Sequence, residues 1–264
     1  MENIGYSESD DPQRQFDIYW PQPSIAQAPL VCFIHGGAWR AEDKRDHAQL
    51  ARSLVIATAC PVAVPNYRLT PSENADPQFH HPMHAEDVLQ FLVFVRKWHH
   101  ESCPFDPDRL ILLGHSCSAH MLSSIFLNSD GVSPSLTPAQ DLLASVKAIV
   151  VSEGIYDLDS LITRFPGYRD WFVQSAFGPS ESYPQFSVLR YPLRPSSAIS
   201  WLLLHSRGDS LVDIPQTEAM HTHLMEIHPQ GVSINIDELT DEHNDILRTD
   251  LYVKIVKEFT AKFI

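Results

Sequence analysis

Short apolar runs alternate with stretches of helical spacing along almost the whole chain, and this alternation restricts the fold more than any other feature. Leu30–Ile34, Pro61–Val64, Leu110–Leu113, Val146–Val151, Ile199–Leu204 and Val232–Ile236 each read as a buried strand, and Phe16–Trp20 as an edge strand. Between or after them, Arg45–Ile56, Met83–His99, Ser118–Leu127, Pro215–Ile227 and Ile246–Phe263 read as helices. In the second of these, Val88, Leu89, Leu92, Val93 and Val95 recur on one face. Such repetition builds a mostly parallel, doubly wound α/β sheet, because a parallel neighbour is reached through a crossover whose helix covers the sheet. Ligands bind these sheets outside the carboxyl ends of the strands. Chemistry is therefore expected directly after each run, on one large domain spanning residues 1–264.

One stretch breaks the rhythm. Residues 156–197 are dense in proline and aromatic side chains and read as an insertion between late strands, with one or two short helices, placed as a cap over the site. Thr70–Pro82 reads as a second rim loop. Only the first dozen residues, acidic and polar, are expected to be disordered.

Charge and composition exclude several classes. A net charge of -14 repels phosphate backbones, so a nucleic-acid partner is not expected. No apolar run is long enough to span a membrane, and the N-terminus has no basic and apolar leader, so the expected setting is cytoplasmic. Cys32, Cys60, Cys103 and Cys117 show no C-x-x-C spacing and read as free buried thiols. Among the 14 histidines, His80-His81, His99-His100 and His221-x-His223 lack a metal-ligand pattern and read as solvated. No metal and no cofactor are expected.

The strand Leu110–Leu113 runs into Gly114-His115-Ser116-Cys117-Ser118-Ala119-His120 and then a helix. A sharp strand-to-helix turn lifts the Ser116 hydroxyl above the sheet and aims helix-terminal N–H groups at any oxyanion beside it. The usual pattern is G-x-S-x-G, and this chain has Ser118 in the last position, read as strain that the turn tolerates. After the strand ending at Ile34 comes His35-Gly36-Gly37-Ala38-Trp39. Its glycines let backbone approach a reacting carbonyl, so Gly36, Gly37 and Cys117 are the expected oxyanion-hole donors.

An acid and a base follow the late strands. Asp209 lies in the turn after Ile199–Leu204, with Asp213 as its rival, and His243 lies after the last strand. The order Ser116, Asp209, His243 is that of a hydrolase triad: nucleophile, orienting acid, general base.

Taken together, the segments His35–Trp39, Gly114–Ser116 with Ala119-His120, Glu153-Gly-Ile-Tyr-Asp157-Leu, His205-Ser-x-x-Asp209 and His243-Asn244-Asp245 resemble the serine-dependent kynurenine formamidases (arylformamidases) of eukaryotes, the fungal form most, within the esterase/lipase branch of the α/β-hydrolases. The resemblance covers nearly the whole chain in order. It implies the α/β-hydrolase fold and hydrolysis of N-formyl-L-kynurenine to kynurenine and formate in tryptophan catabolism, without a metal. An aromatic cap suits a flat aryl substrate, with Trp39, Tyr156, Phe165 and Trp171 as candidate walls. Arg68, Arg164, Arg169 and Arg207 are candidates for a substrate carboxylate. Two alternatives stay open: a related serine hydrolase acting on an ester, thioester or lactone, and a non-hydrolytic binding protein of the same fold. The oligomeric state is not fixed, with a homodimer among the options.

Overall fold

The computed structural model describes residues 1–25, 27–71 and 78–264. Its strands are β1 (Ile4–Gly5), β2 (Gln15–Tyr19), β3 (Pro29–Ile34), β4 (Val62–Pro65), β5 (Asp106–His115), β6 (Val146–Ser152), β7 (Ser200–Leu204) and β8 (Val232–Asn235). Its α-helices are α1 (Ala48–Thr58), α2 (Met83–Val95), α3 (Cys117–Phe126), α4 (Gln140–Ser145), α5 (Leu158–Arg164), α6 (Gln174–Phe177), α7 (Ile214–Ile227) and α8 (Asp250–Thr260). The strands form one eight-stranded sheet in the order β1-β2-β4-β3-β5-β6-β7-β8. β1, β2 and β4 pair antiparallel, and every pairing from β4 to β8 is parallel. This is the mostly parallel, doubly wound sheet that the apolar runs imply, and the α/β-hydrolase fold that the resemblance implies.

Side-chain alternation explains why those runs are apolar throughout. Leu30, Cys32, Ile34, Leu110 and Leu112 point into one core, shared with α2, α3 and α7. Val31, Phe33, Ile111 and Leu113 point into the other, covered by α1 and α8. Helix α3 is buried at every residue from Cys117 to Phe126, because the segment 156–197 covers the side that the sheet does not.

Several boundaries differ from the sequence reading. The N-terminal residues are ordered: the Met1 ammonium donates to the Ile18 carbonyl (2.7 Å), the Asn3 N–H donates to Asp17 (2.8 Å), and Tyr6 is buried. β2 is consequently not an edge, since β1 pairs outside it. The closing helix breaks at Thr249, whose hydroxyl caps α8 by accepting from the Tyr252 N–H (3.2 Å). Segment 156–197 holds α5, a π-helical turn (Arg169–Val173), α6 and two 3-10 turns, more helix than its prolines suggest. Of the rim loop Thr70–Pro82, residues 72–77 lie outside the described residues. Among the described residues no helix is long and apolar enough to cross a membrane.

Candidate active site

Ser116 sits between β5 and α3 with φ 58° and ψ -120°. A non-glycine residue there is strained by about 1–3 kcal/mol and persists only where its surroundings hold it. They do so from both neighbouring strands. The Ser116 N–H donates to the Ser152 carbonyl at the end of β6 (2.9 Å). The Ser118 hydroxyl accepts from the His115 N–H (2.7 Å) and reaches the Ile34 carbonyl at the end of β3 (2.7 Å). Where the motif commonly has glycine, the buried Ser118 hydroxyl thus ties the elbow to the strand that starts the glycine loop.

That loop is shaped by its glycines. Gly37 has φ +94°, and a Cβ there would lie 2.1 Å from the Ala41 carbonyl oxygen. The Arg40 and Ala41 N–H groups both donate to the Gly37 carbonyl at 2.9 Å, closing the tight turn. A Cβ on Gly36 would come within 3.1 Å of Ser116 Cβ, so the loop presses on the elbow. Beneath it the Tyr67 hydroxyl donates to the Gly36 carbonyl (2.7 Å), and the Trp39 N–H donates to Cys117 Sγ (3.3 Å). His35 stacks on Tyr67 (4.5 Å), and burial followed by the nearby His47 lowers it to about 4, which keeps it neutral.

Asp209 and His243 come from separate loops tied together. The Ser206 hydroxyl donates to the Asp241 carbonyl (2.6 Å), the Arg207 N–H to the Leu239 carbonyl (2.9 Å) and the Ser210 hydroxyl to Glu242 (2.8 Å). His243 Nδ1 donates to Asp209 Oδ2 at 2.7 Å, while Asp209 Oδ1 accepts from the Leu211 and Val212 N–H groups (2.8 and 3.0 Å). Burial works to raise the Asp209 carboxyl, but its hydrogen bonds, that from His243 first, outweigh burial and hold it well below the usual carboxylate range. The rival Asp213 occupies the N-cap of α7 instead. Beside His243, His115 lies 4.7 Å away ring to ring and donates from Nε2 to Asn244 Oδ1 (3.1 Å).

Ser116 and His243 line one cavity of about 290 Å³, together with Gly37 and Ala38. Its apolar walls are Ile155, Tyr168, Trp171, Phe172, Leu211 and Val212, and its charged and amide groups are Arg40, Glu42, His243 and Asn244. Of the four aromatic walls expected from sequence, only Trp171 lines it. Trp39 and Tyr156 are fully buried, and Phe165 stacks on Tyr168 at 4.9 Å instead of facing the cavity. None of the four candidate arginines lines it. Arg68 pairs with Asp87 (2.8 Å), Arg164 covers Phe165, Arg169 binds the Ser180 and Glu181 carbonyls, and Arg207 pairs with Asp237. The guanidinium at the cavity is Arg40, which donates to the Trp171 carbonyl. It was findable: it stands one residue beyond the His-Gly-Gly-Ala-Trp motif.

Histidine burial also differs from expectation. His99 and His100 are exposed, but His81 is buried, stacked on Phe177 (5.0 Å) and edge-on to His120 (5.2 Å). Among the described residues two His/carboxylate groups cluster closely enough to face one cation, His35–Glu42–His47 and Glu153–Asp209–His243. Both are already joined internally, His47 to Glu42 at 3.0 Å and His243 to Asp209 at 2.7 Å. Glu153 carried no assigned role in the sequence reading; its signal was a charged residue ending an apolar strand.

Known proteins are similar to this chain in sequence and in fold. The BD-FAE family profile matches residues 16–224. A kynurenine formamidase of Meyerozyma guilliermondii is 31% identical over 197 residues, covering 72% of this chain and 69% of its own. A kynurenine formamidase of Aspergillus versicolor is 29% identical, covering 83% of each. The crystal structure of an esterase B from Lactobacillus rhamnosis superposes with a TM-score of 0.77 at 17% identity, covering 100% of this chain and 85% of its own, which is a likeness of fold.

Proposed function

Since the chain belongs to the BD-FAE family, is similar to fungal kynurenine formamidases and is a hydrolase, we propose that it hydrolyses the formamide of N-formyl-L-kynurenine to kynurenine and formate, as a step of tryptophan catabolism, with Ser116 as nucleophile. The observation that carries this reading is that Ser116 and His243 share one aromatic-walled cavity while Asp209 holds His243 Nδ1 at 2.7 Å from behind. With Nδ1–H committed to Asp209, His243 presents Nε2 as the base.

In this mechanism His243 takes the Ser116 proton as Oγ attacks the formyl carbon. The oxyanion receives N–H groups from the Gly36-Gly37 turn and from Cys117 at the start of α3, where the helix dipole adds its positive end. Collapse expels the aryl amine, protonated by His243, and leaves a formyl ester on Ser116. Water, deprotonated by His243, then releases formate.

The cavity size narrows the substrate. At about 290 Å³ it stands at the small end of ligand pockets, which begin near about 300 Å³, so it suits one aryl group and a one-carbon acyl group better than a long acyl chain. Tyr168, Trp171 and Phe172 are the apolar faces for the aryl ring, and Arg40 is the partner for the carboxylate. Segment 156–197 acts as the cap, supplying those aromatics. The same reading puts the protein in the cytoplasm, where its free buried cysteines stay reduced.

Absorbance-monitored turnover of N-formyl-L-kynurenine by the purified protein, with and without a chelator, tests the proposal. Fast conversion insensitive to chelator is expected. No conversion, with short p-nitrophenyl esters still hydrolysed, would overturn the substrate and leave the triad.

A further inference from the structure

Glu153 directly follows β6 in a left-handed conformation, φ 53°, with its N–H anchored on the Leu204 carbonyl (3.0 Å). That strained turn directs a fully buried carboxyl beneath the triad. Oε1 accepts from the Ser206 N–H at 2.9 Å. The ligating atoms of Glu153, Asp209 and His243 all lie within 4.8 Å of one another. His205 Nε2 stands 3.3 Å from Glu153 Oε2 and 3.6 Å from Asp209 Oδ2. It donates, however, to the Val212 carbonyl (3.1 Å), and Nδ1 lies 2.7 Å from the Thr217 hydroxyl. Burial lowers His205, so it brings no positive charge.

Two carboxyl groups thus share a sealed pocket, and like charges at this range do not both ionise. Counting donors decides which one keeps a proton. Asp209 accepts from three N–H groups: His243 Nδ1, Leu211 and Val212. Glu153 accepts from one, and no donor is directed at its Oε2 among the described residues. Glu153 in turn acts on the Tyr156 and Tyr252 hydroxyls, which burial first of all pushes up and so keeps uncharged. No lysine or arginine is among the causes acting on Glu153.

We propose that Glu153 is a positioning residue that keeps its proton and offers it from Oε2 to the Asp209 carboxylate, so that Asp209 is held between a neutral acid on one side and His243 on the other. This rests on the serine-triad reading above. Burial first, then the neighbouring Asp209, pushes the Glu153 carboxyl up to about 10, which agrees with the donor count. The consequence for catalysis is orientation. The Asp209 oxygen facing His243 is fixed without adding a second negative charge beside the base.

The pH profile of kcat/KM for p-nitrophenyl acetate hydrolysis, measured on Glu153→Gln and Glu153→Leu, is the test. Gln copies a neutral acid in size and in having a donor. It is expected to keep kcat/KM within about threefold and leave the acid limb in place, whereas Leu loses a hydrogen bond to a charged group and about 10- to 100-fold in kcat. An acid limb that drops by about one pH unit or more in Glu153→Gln would mean an anion had been removed, and the proposal falls. Activity of Glu153→Leu equal to the native value overturns it as well. Ser116→Ala in the same assay separates the two ideas: if it retains turnover, the triad reading fails. A third measurement needs no variant. In native protein labelled with carboxyl-¹³C glutamate, one glutamate is expected to remain protonated at pH 7. If every glutamate carboxyl titrates in the ordinary range, Glu153 does not hold the proton.

Discussion

Around the Ser116 cavity, the half supplied by the ends of β3 and β5 is held by backbone geometry, and the half supplied by residues 156–197 is held by side chains. On the first side Gly37 takes a φ closed to other residues, Ser116 is strained, and main-chain groups of Ile34, Gly36 and Ser152 receive the hydrogen bonds that lock both turns. On the second, Phe172, Trp171 and Tyr168 pack on one another at 5.1–5.3 Å, and the π-helical turn that carries Trp171 and Phe172 follows no motif. Chemistry common to acyl transfer requires fixed positions, so it falls on the backbone-held half. Recognition of a particular substrate falls on the half where side chains can be exchanged without disturbing a turn.

The largest effect expected from breaking the first half is at Ser116, the proposed nucleophile. Ser116→Ala removes the hydroxyl proposed to attack from a site whose fold is set by main chain, so melting temperature should hold while turnover falls by about 10⁴- to 10⁶-fold. Near-normal hydrolysis by this variant would sink the nucleophile assignment.

Acid reaches both halves at once. Burial lowers His35 and His120 to about 4 and His84 and His115 to about 3, against an ordinary value of 6.5. In each case the unfolded chain binds the proton more readily. Their contribution to stability is complete above pH 6.5 and is lost as pH falls through the window from 6.5 toward 4 and 3. At about pH 5 each costs roughly 2 kcal/mol, and four together approach the whole of a typical folding free energy of about 5–15 kcal/mol. Glu153 has the opposite sign, its contribution being full below 4.5 and lost as pH rises toward about 10, so it gains as pH falls and offsets part of the histidine loss, one group against four. Circular dichroism should show cooperative unfolding near pH 5; an intact fold at pH 4 would mean these histidines are not sealed from water.

Gly37→Ala attacks the oxyanion turn alone. The added Cβ would meet the Ala41 carbonyl and force the loop away from Ser116. Loss of one oxyanion donor costs about 10²–10³ in kcat, and the same loss should appear with formamide and ester substrates. A loss confined to one substrate would move Gly37 from the chemistry to the pocket. On the opposite wall, Trp171→Ala and Arg40→Met should raise KM for N-formyl-L-kynurenine by roughly 10-fold, on the order of 1–2 kcal/mol of uniform binding, and leave kcat nearly unchanged. A fall in kcat equal to the fall in kcat/KM would show that this wall acts in the transition state, and the contrast between the halves would dissolve.

The same contrast explains what the sequence could and could not disclose. The His35-Gly36-Gly37 turn and the Gly114–Ser116 elbow are local: spacing and residue type state a backbone geometry, and the structure has it. Asp209 and His243 follow strand ends, and their 2.7 Å contact fits the order of the chain. The walls were not legible, because whether an aromatic side chain faces a cavity depends on how short helices in residues 156–197 turn. Trp39 illustrates this. It adjoins the glycine turn in sequence, yet it points away into the core against Phe177 and His120. Arg40, its neighbour, is the one that reaches the cavity.

The smallest expected effect concerns Ser118, where the chain departs from the commoner glycine of the elbow motif. If the hydroxyl staples the elbow to β3, then Ser118→Gly is destabilising although it restores the motif. It leaves the buried His115 N–H without its acceptor, at a cost of about 1–3 kcal/mol, and adds up to about 1 kcal/mol for a glycine in the first turn of α3. Turnover should change by less than about threefold, because none of the Ser118 hydroxyl's hydrogen bonds, to the His115 N–H and the Ile34 and His115 carbonyls, touches the reacting atoms and Ser116 keeps its own anchor on Ser152. Urea unfolding and kcat/KM measured side by side decide the matter. A variant as stable as the native chain would return Ser118 to the status of a small residue filling a glycine's place, and a variant that loses activity with its stability would show that the staple also aims the nucleophile.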